Sequence, residues 1–274
     1  MLILLPPSET KRDGGAGEPL ALDGLGFGEL SRVRREVLAA VAKLSRNREA
    51  SIRALKLGPK QAGEVDRNRA IRSSATMPAL ERYTGVLYDA LDAPSLSEES
   101  RAFAHSSLAV HSALLGLVRA DDLIPAYRLS FDSRLSLERG APTLKKRWAP
   151  VVGGLLAARP GLILDLRSEG YAALGPTPVR EHVHYVRVLA RDESGNTRAL
   201  NHFNKQAKGL FARALVQCGI DFAGTAELLD WARSEGYDLS LSTGGPASAG
   251  GVGDLELVVP EVTGERGSLM AALR

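Results

Sequence analysis

Met1-Leu-Ile-Leu-Leu-Pro-Pro7 opens the chain, and the interpretation of the fold depends on this stretch. An apolar run that ends in two prolines is typical of a short buried strand, because proline cannot continue the hydrogen bonds of a sheet. The run is much shorter than the roughly 18 apolar residues of a membrane-spanning helix. A signal peptide also has a longer apolar segment, preceded by basic residues. We therefore expect a core strand in a cytoplasmic protein.

Further strand-like segments lie mostly in the second half of the chain, whereas helical periodicity dominates the first half. Beyond the first strand, strands are predicted at residues 162–166, 183–190, 197–202 and 255–259. Helices are predicted at residues 30–44, 49–57, 60–72, 78–91, 97–117, 145–158, 205–216 and 226–235. Residues 192–196 are typical of a hairpin turn between two of the strands.

This order of elements predicts an α+β (mixed α/β) fold. The first strand has to pair with strands from the second half, so both ends of the chain contribute to one mixed sheet flanked by many helices. No repeat or linker divides the sequence, and 274 residues fit a single large domain covering 1–274.

The distribution of charge says more about partners than the net charge of +3 does. Between Lys43 and Arg82 the chain has ten basic and four acidic residues. A local excess of positive charge favours a nucleic-acid partner. Cys218 is the single cysteine, so an intramolecular disulfide and a cysteine-based metal cluster are both excluded.

The stretch from Leu55 to Val65 has the pattern of the hairpin in a helix-hairpin-helix DNA-binding element. Gly58 lets the backbone approach a phosphate, and the proline after it suits the first position of a helix. Lys60 adds positive charge, and such contacts hold the DNA backbone without reading bases. Lys56 stands where the hairpin usually has its first glycine. The alternative is an ordinary Gly-Pro turn between two surface helices.

Two other short motifs are weaker. Ser8 and Lys11 have the Ser-x-x-Lys spacing of penicillin-recognising enzymes, but the partner motifs of those enzymes do not occur here. A polar group after a core strand remains well placed to hold an anion.

His182 and His184 have a spacing that can bind metal, but the chain offers few further ligands. We expect no metal and no other cofactor.

A third motif follows a predicted strand and opens a helix. Asn204 is a candidate cap, while Lys205 and Lys208 share one helix face. Lysines at a helix N-terminus oppose the helix dipole, so a bound anion would relieve the repulsion. The alternative is a pair of solvated surface lysines.

Several stretches together resemble the YaaA (DUF328/UPF0246) peroxide-stress family. The stretches are Leu2–Lys11, Tyr83–Tyr88, the Gly-x-x-Arg-x-x-Asp block with Pro-Ala-Tyr-Arg at Gly116–Leu129, Trp148, Asp165–Tyr171, Asn204–Gly209 and Ser234–Tyr237. The resemblance runs in order from residue 1 to about 260. It is less close at Ser8–Lys11, where other members have a Pro-Ala-Lys-Thr form.

The resemblance implies a mixed α/β domain with a basic cleft and a helix-hairpin-helix element. It also implies binding to duplex or branched DNA, independent of sequence, and a role in limiting oxidative damage when peroxide and iron meet. The family's hairpin falls where this chain has Gly58-Pro59-Lys60.

DNA binding is the leading hypothesis. Lys56, Gly58 and Lys60 would grip one phosphate tract. The cleft would be lined by Arg119, Arg128, Asn204, Lys205 and Lys208. Alternatively, Arg119 and Asp122 form an internal ion pair.

The rival hypothesis is an enzyme acting on a nucleotide or another anionic small molecule in the same cleft. The catalytic candidates would be Lys11, Glu169, Tyr171 and Glu235. Glu169 would act as a general base if burial raised its pKa. An iron-handling protein is a weaker hypothesis, because the chain lacks a cluster of histidine and carboxylate ligands.

Overall fold

An eight-stranded mixed sheet forms the centre of the protein, in the order β4-β3-β1-β6-β7-β10-β9, with β8 paired to β7. The structure is a computed structural model, and it describes residues 1–136, 138, 140–191, 197–199, 203–242 and 253–260. The strands are β1 (Leu2–Leu5), β2 (Met77–Pro78), β3 (Leu108–Ser112), β4 (Gly116–Arg119), β5 (Leu123–Ile124), β6 (Ile163–Asp165), β7 (Val183–Arg191), β8 (Thr197–Ala199), β9 (Asp238–Leu241) and β10 (Leu255–Pro260). β2 and β5 form a separate two-stranded sheet.

Helices cover the sheet, and they follow the predicted order. They are α1 (Ser31–Ser45), α2 (Arg48–Ala54), α3 (Glu64–Ala70), α4 (Ala79–Arg82), α5 (Val86–Leu91), α6 (Glu98–Ser107), α7 (Leu144–Ala158), α8 (Glu169–Ala172), α9 (Phe203–Cys218) and α10 (Thr225–Ser234). Within the described ranges, no helix has the length and apolar character needed to cross a membrane. The predicted turn at 192–196 and the predicted strand end at 200–202 lie outside the described residues.

β1 lies in the middle of the sheet, as its apolar sequence predicts. Its four residues are at most 2% exposed, and it pairs in parallel with β3 on one side and β6 on the other. β7 pairs in parallel with both β6 and β10, so strands from both ends of the chain share the sheet. The fold-class prediction is confirmed.

The predicted long helix over 97–117 is wrong. α6 ends at Ser107, and the chain continues as β3 and then turns back as β4. All five residues of β3 are buried, and the strand lies between β1 and β4 inside the sheet. A short apolar run that is buried on both faces has no alternation, so periodicity does not separate it from a helix. The helix predicted over 78–91 is likewise interrupted, by residues 83–85 between α4 and α5.

A close helix contact fixes the position of α9. A Cβ on Gly209 would lie 2.2 Å from the carbonyl oxygen of Leu87, so only glycine lets α9 approach α5 this closely. This contact holds the first turns of α9 beside the sheet, near the end of β6.

The order of strands indicates where a ligand crevice is expected. From β1 the chain crosses to β3 on one side, and it later returns to β6 on the opposite side of β1. In parallel α/β sheets, ligands bind where neighbouring strands lead their connections in opposite directions, outside the carboxyl ends of those strands. Here that place is between residues 6–11, which follow β1, and residues 166–169, which follow β6.

Candidate functional site

The crevice at the carboxyl ends of β1 and β6 contains several of the predicted residues. We define it by Ser8, Glu9 and Lys11 on the first loop and by Ser168 and Glu169 on the second. β1 pairs with β6 at Leu4 and Asp165, and the Leu166 N–H donates to the Leu4 carbonyl oxygen at 2.9 Å, so the two loops start side by side. The crevice therefore brings together residues that the sequence separates by about 160 positions.

Lys11 is a buried amine at the base of the crevice. Its Nζ donates to the carbonyl oxygen of Ser8 at 2.8 Å and to that of Glu9 at 3.4 Å. Nζ also lies 4.1 Å from the ring centre of Tyr127. Burial, and then the guanidinium of Arg128, lower the pKa of Lys11 from 10.5 to about 7. Among the described carboxylates none lies within ion-pair distance, so near neutral pH the amine is available in both its charged and neutral forms.

A chain of hydroxyl groups lies beside Lys11. Ser112 Oγ accepts hydrogen bonds from the backbone N–H groups of Leu114 at 3.1 Å and Leu115 at 3.0 Å. These bonds fill both lone pairs of Ser112, so its proton is donated to the Tyr127 hydroxyl at 2.7 Å. The hydroxyls of Tyr127 and Tyr83 are 2.9 Å apart and need one proton between them. One phenolic proton is therefore left over.

Arg128 forms the rim above Lys11. Its side chain is 11% exposed and pairs with Glu9, whose side chain is 56% exposed. Asn68 holds the Arg128 backbone, since its amide accepts from the N–H and donates to the carbonyl, both at 2.8 Å. The Arg128 backbone is thus held in place and its side chain is largely buried, whereas the side chain of its partner Glu9 is exposed.

A buried ion pair supports the second loop. Arg167 forms two hydrogen bonds with the carboxylate of Asp165, at 2.6 and 2.8 Å, and both side chains are almost fully buried. Arg167 Nη1 also contacts Nδ1 of His111 at 2.7 Å. Burial and the Arg167 charge place the pKa of His111 well below 6.5, so the imidazole is neutral and accepts this bond.

Lys208 is a second buried amine, on the first turns of α9. Its Nζ lies 4.8 Å from the ring centre of Tyr185 and 3.4 Å from the carbonyl oxygen of Arg167. Burial lowers the pKa of Lys208 to about 8, although Asp165 opposes the shift. Lys205 is exposed on the same helix. Asn204 has a buried Oδ1 with no hydrogen-bond donor among the described residues.

The other catalytic candidates are arranged differently. Glu169 is exposed, so it lacks the burial on which a general-base role depends. Tyr171 is buried, packs against His111 and Phe131, and has a pKa raised well above 10 by burial. Glu235 follows α10, and its charge helps to raise the pKa of the Cys218 thiol. Cys218 is the last residue of α9, about 24 Å along that helix from its first residue. The structure therefore does not bring Glu235 to the crevice.

The predicted DNA-binding turn connects α2 and α3. Gly58 has φ −73°, which any residue adopts, and its N–H donates to the Gln61 side chain at 3.1 Å. Lys60 is exposed in the single turn of 3-10 helix at Pro59–Gln61. Lys56 has φ 55°, a left-handed conformation that glycine adopts most easily, and its Nζ pairs with Asp132. This agrees with the usual glycine at that position.

The ten basic side chains around this turn divide into three groups. Five of them form ion pairs: Lys43, Arg48, Lys56, Arg67 and Arg69. Arg82 is fully buried and donates to three carbonyl oxygens. The remaining four are exposed and form no ion pair with the described carboxylates: Arg46, Arg53, Lys60 and Arg72. We call these four residues the free cations.

Arg119 lies away from the crevice. It pairs with Ala109 near the amino end of β3. The crevice and Arg128 lie at the carboxyl ends of the parallel strands, so Arg119 is at the opposite end of the sheet. The predicted ion pair with Asp122 is wrong. The Asp122 carboxylate accepts from the backbone N–H groups of Arg119 at 2.8 Å and Gly26 at 3.0 Å, while the Arg119 guanidinium donates to the His105 carbonyl oxygen.

The two strand histidines contact a threonine. His184 Nδ1 donates to the Gly253 carbonyl oxygen at 2.8 Å, and its Nε2 accepts from the Thr225 hydroxyl at 2.7 Å. His182 Nδ1 lies 3.0 Å from the same hydroxyl. In the described part of the chain, no three histidine, cysteine or carboxylate side chains are grouped to hold a metal ion.

Sequence reasoning missed the hydroxyl chain and the buried ion pair. Tyr83, Tyr127 and Arg167 all stand within the stretches that resemble the YaaA family. Tyrosine and arginine next to apolar core positions indicate buried polar groups that need partners, and this was the sequence signal for a site. Nothing in their spacing, however, places Tyr83 and Tyr127 side by side.

Comparison with known proteins agrees with the resemblance. A model of the peroxide stress protein YaaA family matches residues 1–242. A UPF0246 protein of Corynebacterium efficiens is 42% identical over 245 residues, which cover 89% of this chain and 96% of the relative. A UPF0246 protein of Streptomyces coelicolor is 38% identical over 267 residues, covering 96% of this chain and 100% of the relative. The family prediction is confirmed: the chain belongs to the YaaA (UPF0246) family of peroxide stress proteins.

Proposed function

We propose that this protein binds the phosphate backbone of duplex or branched DNA as part of the peroxide-stress response. The observation that carries the proposal is the set of free cations Arg46, Arg53, Lys60 and Arg72. Positive charge without an acidic partner is available to phosphates, and its binding is independent of base sequence.

The free cations belong to one group of helices. Arg53 lies in the last turn of α2, and Lys60 lies in the turn that follows. Arg46 and Arg72 follow α1 and α3, whose ends meet where Arg69 donates to the Ser45 carbonyl oxygen at 2.8 Å. The same three helices therefore present all four charges.

Gly58 supports the proposal independently. A Cβ at Gly58 would meet no atom closer than 3.8 Å, and the backbone conformation does not require glycine. The folded chain alone gives no reason for glycine at this position. Close approach of a phosphate to the Gly58 N–H is such a reason, with the exposed Gln61 side chain moving away. In the same way, a phosphate replaces Asp132 on Lys56.

The crevice extends this surface. Exposed Lys205 and the rim residue Arg128 are the predicted cleft residues that can reach a second phosphate tract, and Asn204 precedes Lys205 on α9. Buried Lys208 adds positive charge beneath this surface. A protein bound along the backbone in this way shields the DNA from iron and peroxide. Arg119 faces a different edge and takes no part.

Fluorescence anisotropy with duplex and four-way-junction DNA tests the proposal. The variant Arg53→Ala/Lys60→Ala removes two free cations. The matched control Lys145→Ala/Lys146→Ala removes two exposed lysines of α7 that form no ion pair with described carboxylates. We expect roughly tenfold weaker binding for the first variant, since each contact contributes about 0.7 kcal/mol or more. Equal affinities for the two variants would refute this binding surface.

A second candidate function rests on a different observation. Lys11 and Lys208 are buried amines that flank the crevice without an ion pair to a described carboxylate, and an anionic ligand would supply the missing charge. This supports an enzyme acting on a nucleotide or another anionic small molecule. Calorimetric titration with AMP tests it: binding by the wild type that Lys11→Met weakens supports the candidate, and no binding contradicts it.

A further inference from the structure

Lys11 differs from an ordinary buried lysine in what surrounds its nitrogen. A neutral amine has two N–H donors and one lone pair. The carbonyl oxygens of Ser8 and Glu9 accept both hydrogens, at 2.8 and 3.4 Å. The lone pair is then free, on a nitrogen that lies 4.1 Å from the ring centre of Tyr127 and 5.3 Å from that of Tyr83.

The neighbouring hydroxyl chain supplies the complementary group. Ser112 gives its proton to Tyr127, so either Tyr127 or Tyr83 retains a phenolic proton that no described acceptor takes. Burial raises the pKa of Tyr127 to about 12 and that of Tyr83 well above 10, so both phenols stay protonated. A nucleophilic nitrogen and a proton donor thus lie together at the base of the crevice.

From this arrangement we propose that Lys11 forms an imine with the carbonyl carbon of a small aldehyde or ketone that also carries an anionic group. The lone pair of Nζ attacks the carbonyl carbon, and a phenol protonates the carbonyl oxygen. The nitrogen of the resulting carbinolamine loses both of its protons: one returns to the phenolate, and the other goes to the hydroxyl group. The oxygen leaves as water, so the C=O bond is replaced by a C=N bond.

Arg128 at the rim is the reason we expect the carbonyl compound to carry an anionic group. Arg128 lies above Lys11 and is paired with Glu9, whose side chain is 56% exposed. A carboxylate or phosphate on the incoming molecule can take the place of the Glu9 carboxylate on the Arg128 guanidinium. The carbonyl carbon of a short molecule would then point down, toward Nζ.

The charge state of Lys11 depends on its neighbours. The charged groups that act on Nζ are Arg128, Glu64, Glu9 and Arg67. The hydroxyls nearest to it belong to Tyr83 and Tyr127. Among the four charged groups, Arg128 has the largest influence, and it favours the neutral, nucleophilic form of the amine.

Reductive trapping tests the inference on the full-length protein. The probes are glyoxylate, glycolaldehyde phosphate and uncharged glycolaldehyde, each with sodium cyanoborohydride at pH 7, followed by peptide mapping by mass spectrometry. We expect Lys11 to be labelled at least about tenfold faster than exposed Lys205, because an amine with a pKa near 7 is about half neutral at this pH. Both anionic probes should label Lys11 faster than glycolaldehyde does.

Tyr83→Phe/Tyr127→Phe keeps both rings beside Nζ and removes both phenolic protons. We expect slower labelling of Lys11 in this variant and unchanged labelling of Lys205. If exposed lysines are labelled while Lys11 is not, the inference is wrong. The inference rests on the second candidate function, and the two fail separately: AMP binding without a Lys11 adduct overturns only the imine.

Discussion

Lys11 is a buried amine that the fold holds without an ion pair to a described carboxylate, and its stability cost is measurable. The pKa of Lys11 is lowered from 10.5 to about 7. Between these two values the unfolded chain retains a proton that the folded protein has released. Stability therefore rises with pH across this window. A residue kept despite such a cost is typical of a functional site.

Lys11→Met should stabilise the protein at pH 7, by roughly 1–3 kcal/mol, because it removes the cost of neutralising the amine. The gain should shrink by pH 10, where the remaining cost of an unprotonated Lys11 is below about 1 kcal/mol. Urea unfolding of wild type and variant at both pH values measures the difference. A variant less stable than wild type at pH 7 would show that the Lys11 hydrogen bonds outweigh its desolvation.

The Asp165–Arg167 pair is the most deeply buried ion pair among the described residues. Asp165→Asn leaves the Arg167 charge uncompensated, so we expect a loss of about 3–5 kcal/mol in the free energy of unfolding. The control is Asp230→Asn, which breaks the exposed pair with Arg233 and should change stability by less than about 0.5 kcal/mol. Similar losses for both variants would contradict the structural role given to the buried pair.

His111 adds a pH dependence of the same origin at lower pH. Its pKa in the folded protein lies well below 6.5, chiefly because of burial. Below about pH 6.5 His111 binds a proton in the unfolded chain but stays neutral in the folded protein. The free energy of unfolding therefore falls with decreasing pH, by up to about 1.4 kcal/mol per pH unit. Chemical denaturation between pH 7 and 5 should show a smaller decline for His111→Gln. An unchanged decline would exclude His111 as its source.

At the scale of elements, the sequence predicts most helices but only five of the ten described strands, and one of its failures is informative. α1, α7, α9 and α10 have clear amphipathic periodicity and start or end within about two residues of the prediction. β3 does not, because all five of its residues are buried and its sequence therefore shows no alternation. The missing information is tertiary: only the pairing of β3 with β1 and β4 distinguishes it from the end of α6.

The α2–α3 turn provides a prediction at the same scale. Gly58→Ala should leave the stability within about 0.5 kcal/mol of wild type, because the backbone and the space around Cβ both accept alanine. It should nevertheless weaken DNA binding by hindering the phosphate. The matched control is Gly63→Ala, which also has φ below zero and open space around Cβ. Equal affinities of both variants and wild type would remove Gly58 from the binding site.

At the scale of the whole molecule, the sequence identifies the parts of the crevice but not their assembly. Lys11, Arg128, Glu169 and Lys208 were candidates from motifs and the family resemblance. Their grouping depends on β1 lying between β3 and β6, which no local pattern encodes. The same reasoning explains Arg119: its block matches the family, but the reversal from β3 to β4 places it at the other edge.

The salt dependence of DNA binding tests the central claim most directly. The logarithm of affinity falls linearly with the logarithm of salt concentration, with a slope of about −0.9 per phosphate contact. Removing two contacts in Arg53→Ala/Lys60→Ala should therefore make the slope shallower by about 1.8. Lys145→Ala/Lys146→Ala should keep the wild-type slope. Identical slopes for all three proteins, or no binding at low salt, would contradict DNA binding through the free cations.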